Sequence, residues 1–209
     1  MSVRPVVTPV VFAAAGALAA RALLRNWGAT KAEVREVLPG DELVPDPAEV
    51  VTRAVTVDAP AAEVWRWLVQ IGQDRGGMYS YTWLENLAGL HIRNAEEVRE
   101  QWQHLAPGDE VRLVPRGWLG MPDGYALAVA QVIEGRAIVL QVEPWHAVWS
   151  FHVLPHGPGR CRLLSRSRAP ATSGLPWLAD QLMDPITFLM TRRMLLGIKS
   201  RAEGRRPAA

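Results

Sequence analysis

Residues 52–92 read TRAVTVDAPAAEVWRWLVQIGQDRGGMYSYTWLENLAGLHI, and the first half of this stretch indicates a strand followed by a helix. Residues 50–57 are rich in β-branched side chains, which favour a strand. Asp58 and Pro60 then supply a cap and a first-turn proline, the usual start of a helix. Apolar residues follow at helical spacing, namely Val64, Trp67, Leu68 and Ile71. We therefore predict a helix from about residue 60 to residue 71.

The second half of the stretch contains three glycines, Gly72, Gly76 and Gly77, around a Gln-Asp-Arg sequence. A phosphate-binding glycine loop follows a strand and precedes a helix, and its lysine is followed by serine or threonine. This loop follows a helix and has no such lysine, so we interpret Gly76-Gly77 as a sharp turn between helices. A short helix is predicted at 80–89.

The rest of the chain changes from a helical turn at 95–105 to strands and then to a terminal helix. The predicted strands are 110–114, 125–133, 137–143, 146–154 and 161–168. Asp184-Pro185 is typical of a helix start and predicts a helix that runs to about 203. This order predicts an α+β fold, an antiparallel sheet curved around the terminal helix with a cavity between them.

At 209 residues the chain fits one domain with an appendage. Residues 1–28 form a hydrophobic amino-terminal segment, and residues 29–49 are interpreted as a linker because they carry turn residues without sustained periodicity. The folded domain is predicted at 50–203, and residues 204–209 form a basic tail.

The amino-terminal run at 5–20 contains no charged residue, and residues 5–24 approach the length of a membrane span. Three interpretations remain open: a membrane anchor, a helix that packs against the domain or a partner, and a cleaved signal. Basic residues follow the run at Arg21, Arg25, Lys31 and Arg35. We expect a domain that is cytoplasmic, or membrane-anchored and facing the cytoplasm.

Composition and spacing exclude several classes of function. The net charge is only +2 and the basic excess is concentrated near the carboxyl end, so nucleic acid is not an expected partner. The single Cys161 excludes an internal disulfide. The five histidines lack the spacing of metal ligands, and no Gly-x-Ser-x-Gly sequence is present. We predict no cofactor and no metal.

The chain resembles the SRPBCC superfamily, the START-like and polyketide cyclase-related proteins with the helix-grip fold, in particular a bacterial branch. The residues that carry this resemblance are 52–92, PGDEVRLVP at 107–115, RRMLLGIKSRAE at 192–203 and LPGDELVP at 38–45. The resemblance implies a deep cavity between the sheet and the terminal helix, closed by two short helices. Members of the superfamily bind lipids, sterols or polyketides, and some catalyse cyclisation or hydrolysis. No catalytic residue is common to them.

Candidate ligand-binding residues are aromatic, sulfur-containing or charged. Aromatic residues suit the wall of a small-molecule site, methionine adapts to varied shapes, and a buried carboxyl has a raised pKa. The predicted set is Tyr79, Tyr81, Trp83, Trp149, Met190, Met194, Arg75 and Glu85. Packing explains the aromatic residues and methionines equally well, and Glu85 has three roles open to it: capping, pairing with Arg75, or projecting into the cavity.

Two strands carry polar residues at alternate positions. In 146–154, Ala147, Trp149, Phe151 and Val153 alternate with His146, Ser150 and His152, which predicts a sheet buried on one face. Arg162, Arg166 and Arg168 are expected to face solvent, or to hold an anionic head group if they lie on the inner face.

The function predicted from these features is binding of a hydrophobic small molecule or lipid. A first alternative is a cofactor-independent cyclase or hydrolase, which needs two polar groups that converge in the cavity, such as Tyr79 or Tyr81 with Glu85 or Arg75. A second alternative is a protein-interaction module, which needs an exposed apolar patch.

Overall fold

The computed structural model of the chain describes residues 24–205, with side chains described outside 175–182. The helices are α1 (Lys31–Arg35), α2 (Ala61–Val69), α3 (Thr82–Leu87) and α4 (Leu175–Ala202). The strands are β1 (Glu49–Val57), β2 (Glu110–Val114), β3 (Tyr125–Ile133), β4 (Ala137–Val142), β5 (Ala147–Pro155) and β6 (Cys161–Ala169). Short 3-10 turns lie at Asp41–Leu43, Glu100–Trp102 and Trp118–Gly120.

The strands form one six-stranded antiparallel sheet in the order β1-β6-β5-β4-β3-β2. The first and last strands in the sequence, β1 and β6, pair with each other from Glu49–Ala169 to Val57–Cys161. Helix α4 packs against β1 and α2, so the sheet curves around it. The predicted α+β helix-grip architecture is confirmed.

The core lies between the inner face of the sheet and helices α2 and α4. Its largest contributors are fully buried apolar side chains, including Phe151, Leu163, Leu68, Leu195 and Ile198. Burial of each such side chain stabilises the fold by about 1.5–3 kcal/mol. At Gly197, α4 lies so close to the chain at Tyr79 that an added Cβ would come within 2.3 Å of the Tyr79 carbonyl oxygen.

The predicted start of the terminal helix at Asp184-Pro185 is wrong. Helix α4 begins at Leu175, has 28 residues and contains Pro185 in its interior. The sequence contains the same helix-start signal, a proline in the first turn, at two places. Pro176 stands in the first turn of α4, directly after the loop that ends at Gly174 with a φ of 66°. The earlier proline starts the helix. The region predicted as helical at 95–105 retains only one 3-10 turn.

Residues 29–49 are not a linker without secondary structure. Thr30 and Glu33 form a capping box at the start of α1, in which each side chain accepts a hydrogen bond from the other residue's backbone N–H. Leu38 and Val44 are buried against the sheet. This segment, residues 29–45, therefore covers the outer face of the sheet and is called the outer cover below.

The outer cover explains why the expectation for the arginines of β6 is wrong. Arg166 is only 1% exposed, and its Nη1 donates to Asp41 Oδ2 at 2.8 Å and to the Glu36 carbonyl at 2.7 Å. Arg162 donates to Glu33, and Arg168 donates to the Val44 carbonyl. These guanidinium groups neither face open solvent nor enter the cavity. They attach the outer cover to the sheet.

His152 and Ser150 lie under the same cover, so the sheet is buried on both faces in this region, not on one. The two side chains are 2.9 Å apart, from His152 Nε2 to Ser150 Oγ, and both are almost inaccessible. Burial, with the nearby charge of Arg166, lowers the pKa of His152 to about 4.

The predicted membrane segment at 5–24 lies outside the described residues except for Leu24, and so does most of the basic tail. Within residues 24–205, none of the helices combines the length and the apolar character that a bilayer span requires.

Candidate functional site

A cavity of about 420 Å³ separates the inner face of the sheet from α4 and from the segment that contains α3. Its wall is mainly apolar, and the contributors include Met78, Leu90, Ile92, Leu113, Leu127 and Met190. The terminal helix makes its main contacts with the sheet at β1 and β6, and residues of β2 and β3 line the cavity. Helix α2 packs in the core beside the cavity, whereas α3 contributes Glu85 to its wall.

The cavity opens to the surface beside the first half of α4. Met183 and Ile186 line it, yet they are 51% and 47% exposed. A second hollow of about 340 Å³ adjoins this opening and shares wall residues with the cavity, among them Arg53 and Ser167. Exposed Trp145 lines the second hollow. A molecule therefore has a route from solvent to the apolar interior.

The structure places half of the predicted ligand-binding residues in the wall of the cavity: Glu85, Trp149, Met190 and Met194. Trp149 donates from Nε1 to Ser165 Oγ at 2.8 Å, and its ring packs against Phe151 with centroids 4.7 Å apart. This hydrogen bond satisfies the indole N–H and leaves the apolar part of the ring to form the wall.

Tyr79 is buried in the core and does not line the cavity. Its hydroxyl accepts a hydrogen bond from Gln70 Nε2 at 2.8 Å, and its ring lies edge-on to Trp67. The Arg201 guanidinium lies 4.9 Å from the ring centroid. Burial raises the pKa of Tyr79 above its ordinary value, so the residue is a neutral structural group at physiological pH.

Tyr81 immediately precedes α3, and Trp83 lies in its first turn. Their rings meet edge-to-face at 6.4 Å, and the Arg193 guanidinium lies 5.3 Å from the centroid of Tyr81. Trp83 is 67% exposed, and neither residue belongs to the cavity wall.

Arg75 acts as a structural clamp. Its Nη2 lies within hydrogen-bonding distance of three carbonyl oxygens, those of Val69, Trp102 and His104. It lines a separate hollow whose other residues are mostly polar. The predicted Arg75–Glu85 pair does not form.

The glycines of the loop are required by close packing. Gly72 and Gly77 form an isolated antiparallel bridge, and Gly77 has a φ of +82°. A Cβ on Gly76 would lie 2.6 Å from the Tyr79 hydroxyl oxygen. Asn94 then accepts from Tyr79 N–H and donates to Thr82 Oγ1, which fixes the approach to α3. These contacts hold the loop against the segment that leads into α3.

Glu85 is the most unusual group in the cavity wall. Its side chain is buried, with the residue only 3% exposed, and Oε2 has no hydrogen-bond partner among the described residues. Desolvation raises the pKa of Glu85 to about 7, and no neighbouring charge offsets it. The carboxyl therefore changes protonation state near neutral pH.

Arg53 is a second charged wall residue, and the sequence analysis did not identify it. Nη1 donates to Thr191 Oγ1 at 3.1 Å and to the Thr187 carbonyl at 3.3 Å, while Nε donates to the Leu24 carbonyl. Burial lowers the pKa of Arg53 to about 10, so the group stays cationic. Arg53 alternates with Val51 and Val55 along β1. Because alternate residues of a strand share a face, this spacing places Arg53 on the inner face.

Small hydroxyl residues complete the wall. Ser165 and Ser167 alternate with the arginines of β6, so the serines face the cavity while the arginines face the outer cover. Their small size leaves room that a larger side chain would fill. Among residues 24–205 no group of three or more histidine, cysteine or acidic side chains is arranged to hold a metal ion.

No family model and no curated protein matches the sequence. Solved structures share the fold. A protein from Thermobifida fusca, solved by NMR in solution, is 17% identical with a TM-score of 0.50, over 77% of this chain and 97% of that chain. At this identity the likeness shows the fold alone.

Two further structures align less closely. A protein of unknown function from Enterococcus faecalis has 11% identity and a TM-score of 0.43, with 81% of this chain and 82% of that chain covered. Norcoclaurine synthase from Thalictrum flavum has 15% identity and a TM-score of 0.40, with 76% and 95% covered.

Proposed function

We propose that this protein binds a hydrophobic small molecule or lipid in the cavity between the sheet and α4. The observation that carries the proposal is the apolar wall of a cavity with an opening at Met183 and Ile186. Its volume of about 420 Å³ lies within the range of ligand sites. Membership of the SRPBCC superfamily is part of the same proposal, supported by the resemblance at 52–92 and by the helix-grip fold.

Native mass spectrometry of the purified protein, followed by solvent extraction, tests the proposal. We expect a mass excess that disappears on extraction and is recovered as an apolar compound. The variant Ser167→Phe places a ring in the cavity and should lack the excess. The matched variant Val37→Phe, at an 86% exposed position, should retain it. A bare polypeptide mass in all three proteins, with no apolar probe bound afterwards, would refute the proposal.

Glu85 favours a second candidate, a cofactor-independent enzyme that transfers a proton within the cavity. A buried carboxyl that titrates near neutral pH is suited to general acid–base chemistry. Of the polar groups first expected to converge, only Glu85 lines the cavity; Arg53 supplies the second charged group. Incubation with a cellular extract of apolar metabolites tests this candidate. A product that forms with the wild type and not with Glu85→Gln supports catalysis.

We also propose that residues 5–24 hold the domain at a membrane. Residues 5–20 carry no charge, and the segment leads to Leu24, whose carbonyl accepts a hydrogen bond from the cavity residue Arg53. The domain would then take up its ligand close to the bilayer. Carbonate extraction of membranes checks this: protein that appears in the supernatant contradicts anchoring.

A further inference from the structure

Glu85 lies in the cavity wall, and none of the described side chains pairs with its charge. The residue is 3% exposed, and Oε2 accepts no hydrogen bond from the described residues. An ionised carboxylate in apolar surroundings is strongly destabilising unless it is paired, so buried acids normally have a donor within reach. The same protein meets this requirement on the outer face, where Arg166 pairs with Asp41 and Arg162 pairs with Glu33.

Each of the remaining polar side chains of the wall can donate a hydrogen bond. Arg53 donates to the Thr187 carbonyl, and the serine and threonine hydroxyls can donate as well as accept. Tyr125, a third titratable wall residue beside Glu85 and Arg53, donates from its hydroxyl to the Glu143 carbonyl at 3.0 Å. Among the described wall residues Glu85 alone carries a carboxyl. A ligand that carried only hydrogen-bond acceptors would bond to these donors. It would leave Glu85 without a hydrogen-bond donor.

We propose that Glu85 binds the protonated amine of the ligand, and hence that the cavity is specific for apolar amines. This inference rests on the proposed binding function and specifies its ligand class. An ammonium group supplies both the donor that Oε2 lacks and the opposite charge that no described residue places against Glu85. The apolar part of the ligand would contact Met78, Leu113 and Trp149.

Binding would also move a proton. Burial raises the pKa of Glu85 to about 7, so at pH 6 the empty protein holds the carboxyl mainly in its neutral form. An ammonium ligand favours the carboxylate and therefore expels this proton on binding. A neutral alcohol of the same length has no such effect.

The test uses three probes that differ only in their polar end: decylammonium, 1-decanol and decanoate. Isothermal titration is performed with the full-length wild type, with the isosteric Glu85→Gln variant and with Glu100→Gln, an exposed acid, as the matched control. At pH 7.5 we expect the wild type and Glu100→Gln to bind decylammonium about tenfold or more tightly than 1-decanol. Glu85→Gln should lose this preference and bind the two probes with similar affinity.

The same isothermal titrations are repeated at pH 6 in two buffers of different ionisation enthalpy. The difference between the two binding enthalpies gives the number of protons released. We expect release of up to about one proton per decylammonium bound to the wild type, and none for Glu85→Gln. If decylammonium and 1-decanol bind the wild type equally, or if the amine preference survives in Glu85→Gln, the amine assignment is wrong while the binding function stands. If none of the probes binds, both proposals fail.

Discussion

The two sides of the sheet differ in whether a buried carboxyl has a partner. On the outer face, Arg166 and Asp41 are buried together, and the guanidinium group also bonds to backbone carbonyls of the outer cover. On the inner side, Glu85 of α3 is also buried, and its Oε2 accepts no hydrogen bond from the described residues. Strands β5 and β6 lie under the outer network on one face. Their other face forms part of the wall of the cavity that Glu85 also lines.

This difference separates a structural role from a functional one. A paired buried charge contributes specificity of packing, because it holds one segment in one place. An unpaired buried carboxyl disfavours folding when it is ionised and therefore has a raised pKa, which is the behaviour of groups that act on a ligand. The outer face is thus closed by the chain itself, whereas the inner face is open to a molecule from outside.

The largest expected effect is the loss of the outer network. Arg166→Met leaves the Asp41 carboxylate buried beside an apolar side chain and removes the bond to the Glu36 carbonyl. We expect a loss of about 3–5 kcal/mol in the free energy of unfolding, measured by urea titration. Arg160→Met removes an ion pair with Asp58 that is half exposed and should cost less than about 1 kcal/mol. Equal losses in the two variants would contradict the distinction.

His152 should make the outer face sensitive to acid. Its pKa is lowered to about 4 in the folded protein, so between that pH and its ordinary value of 6.5 the unfolded chain binds a proton that the folded chain excludes. Stability therefore falls as the pH falls through this window, by on the order of 3 kcal/mol. His152→Gln removes the titrating group. Unfolding curves from pH 7 to pH 4 should lose this slope in the variant; an unchanged slope would assign it to other groups.

Glu85 should give the opposite slope in almost the same window. Its pKa is raised from 4.5 to about 7, so the folded state binds the proton more tightly than the unfolded chain. The stabilising contribution is present below pH 4.5 and is lost as the pH rises through 7, by about 2–3 kcal/mol. In Glu85→Gln this loss should be absent, and the unfolding free energy at pH 8 should not fall below that of the wild type. A marked destabilisation would mean that Glu85 has a structural partner.

The smallest expected effect concerns a neutral hydrogen bond of the inner face. Trp149→Phe removes the donor to Ser165 Oγ and leaves that hydroxyl at the cavity, where it can turn toward a ligand or water. We expect a loss of only about 1 kcal/mol from the hydrogen bond itself. Thermal unfolding checks this value. A loss as large as that in Arg166→Met would show that the inner face is as tightly coupled as the outer one.

The sequence predicted the sheet and helix order because strands and amphipathic helices have distinct periods, as in 50–57 and 60–71. It failed at α4, where two prolines gave the same start signal and the helix begins at the earlier one. It failed at Arg166, because the partner Asp41 lies far away in a segment with no periodic pattern. The acidic side chain of Glu85 and the aromatic ring of Trp149 predict that both residues line the cavity. The alternation of residues along β1 predicts the same for Arg53, but its charge argues for the opposite face.

The central claim is that the inner face receives an apolar ligand while the outer face is closed. Photolabelling with an alkyl diazirine, followed by peptide mapping, tests it most directly. We expect labels on wall residues such as Met78, Leu113 and Met190, with competition by unlabelled 1-decanol. Ser167→Phe should abolish these labels and Val37→Phe should not. Labels confined to the exposed residues Trp83 and Leu119, unaffected by Ser167→Phe, would contradict the account.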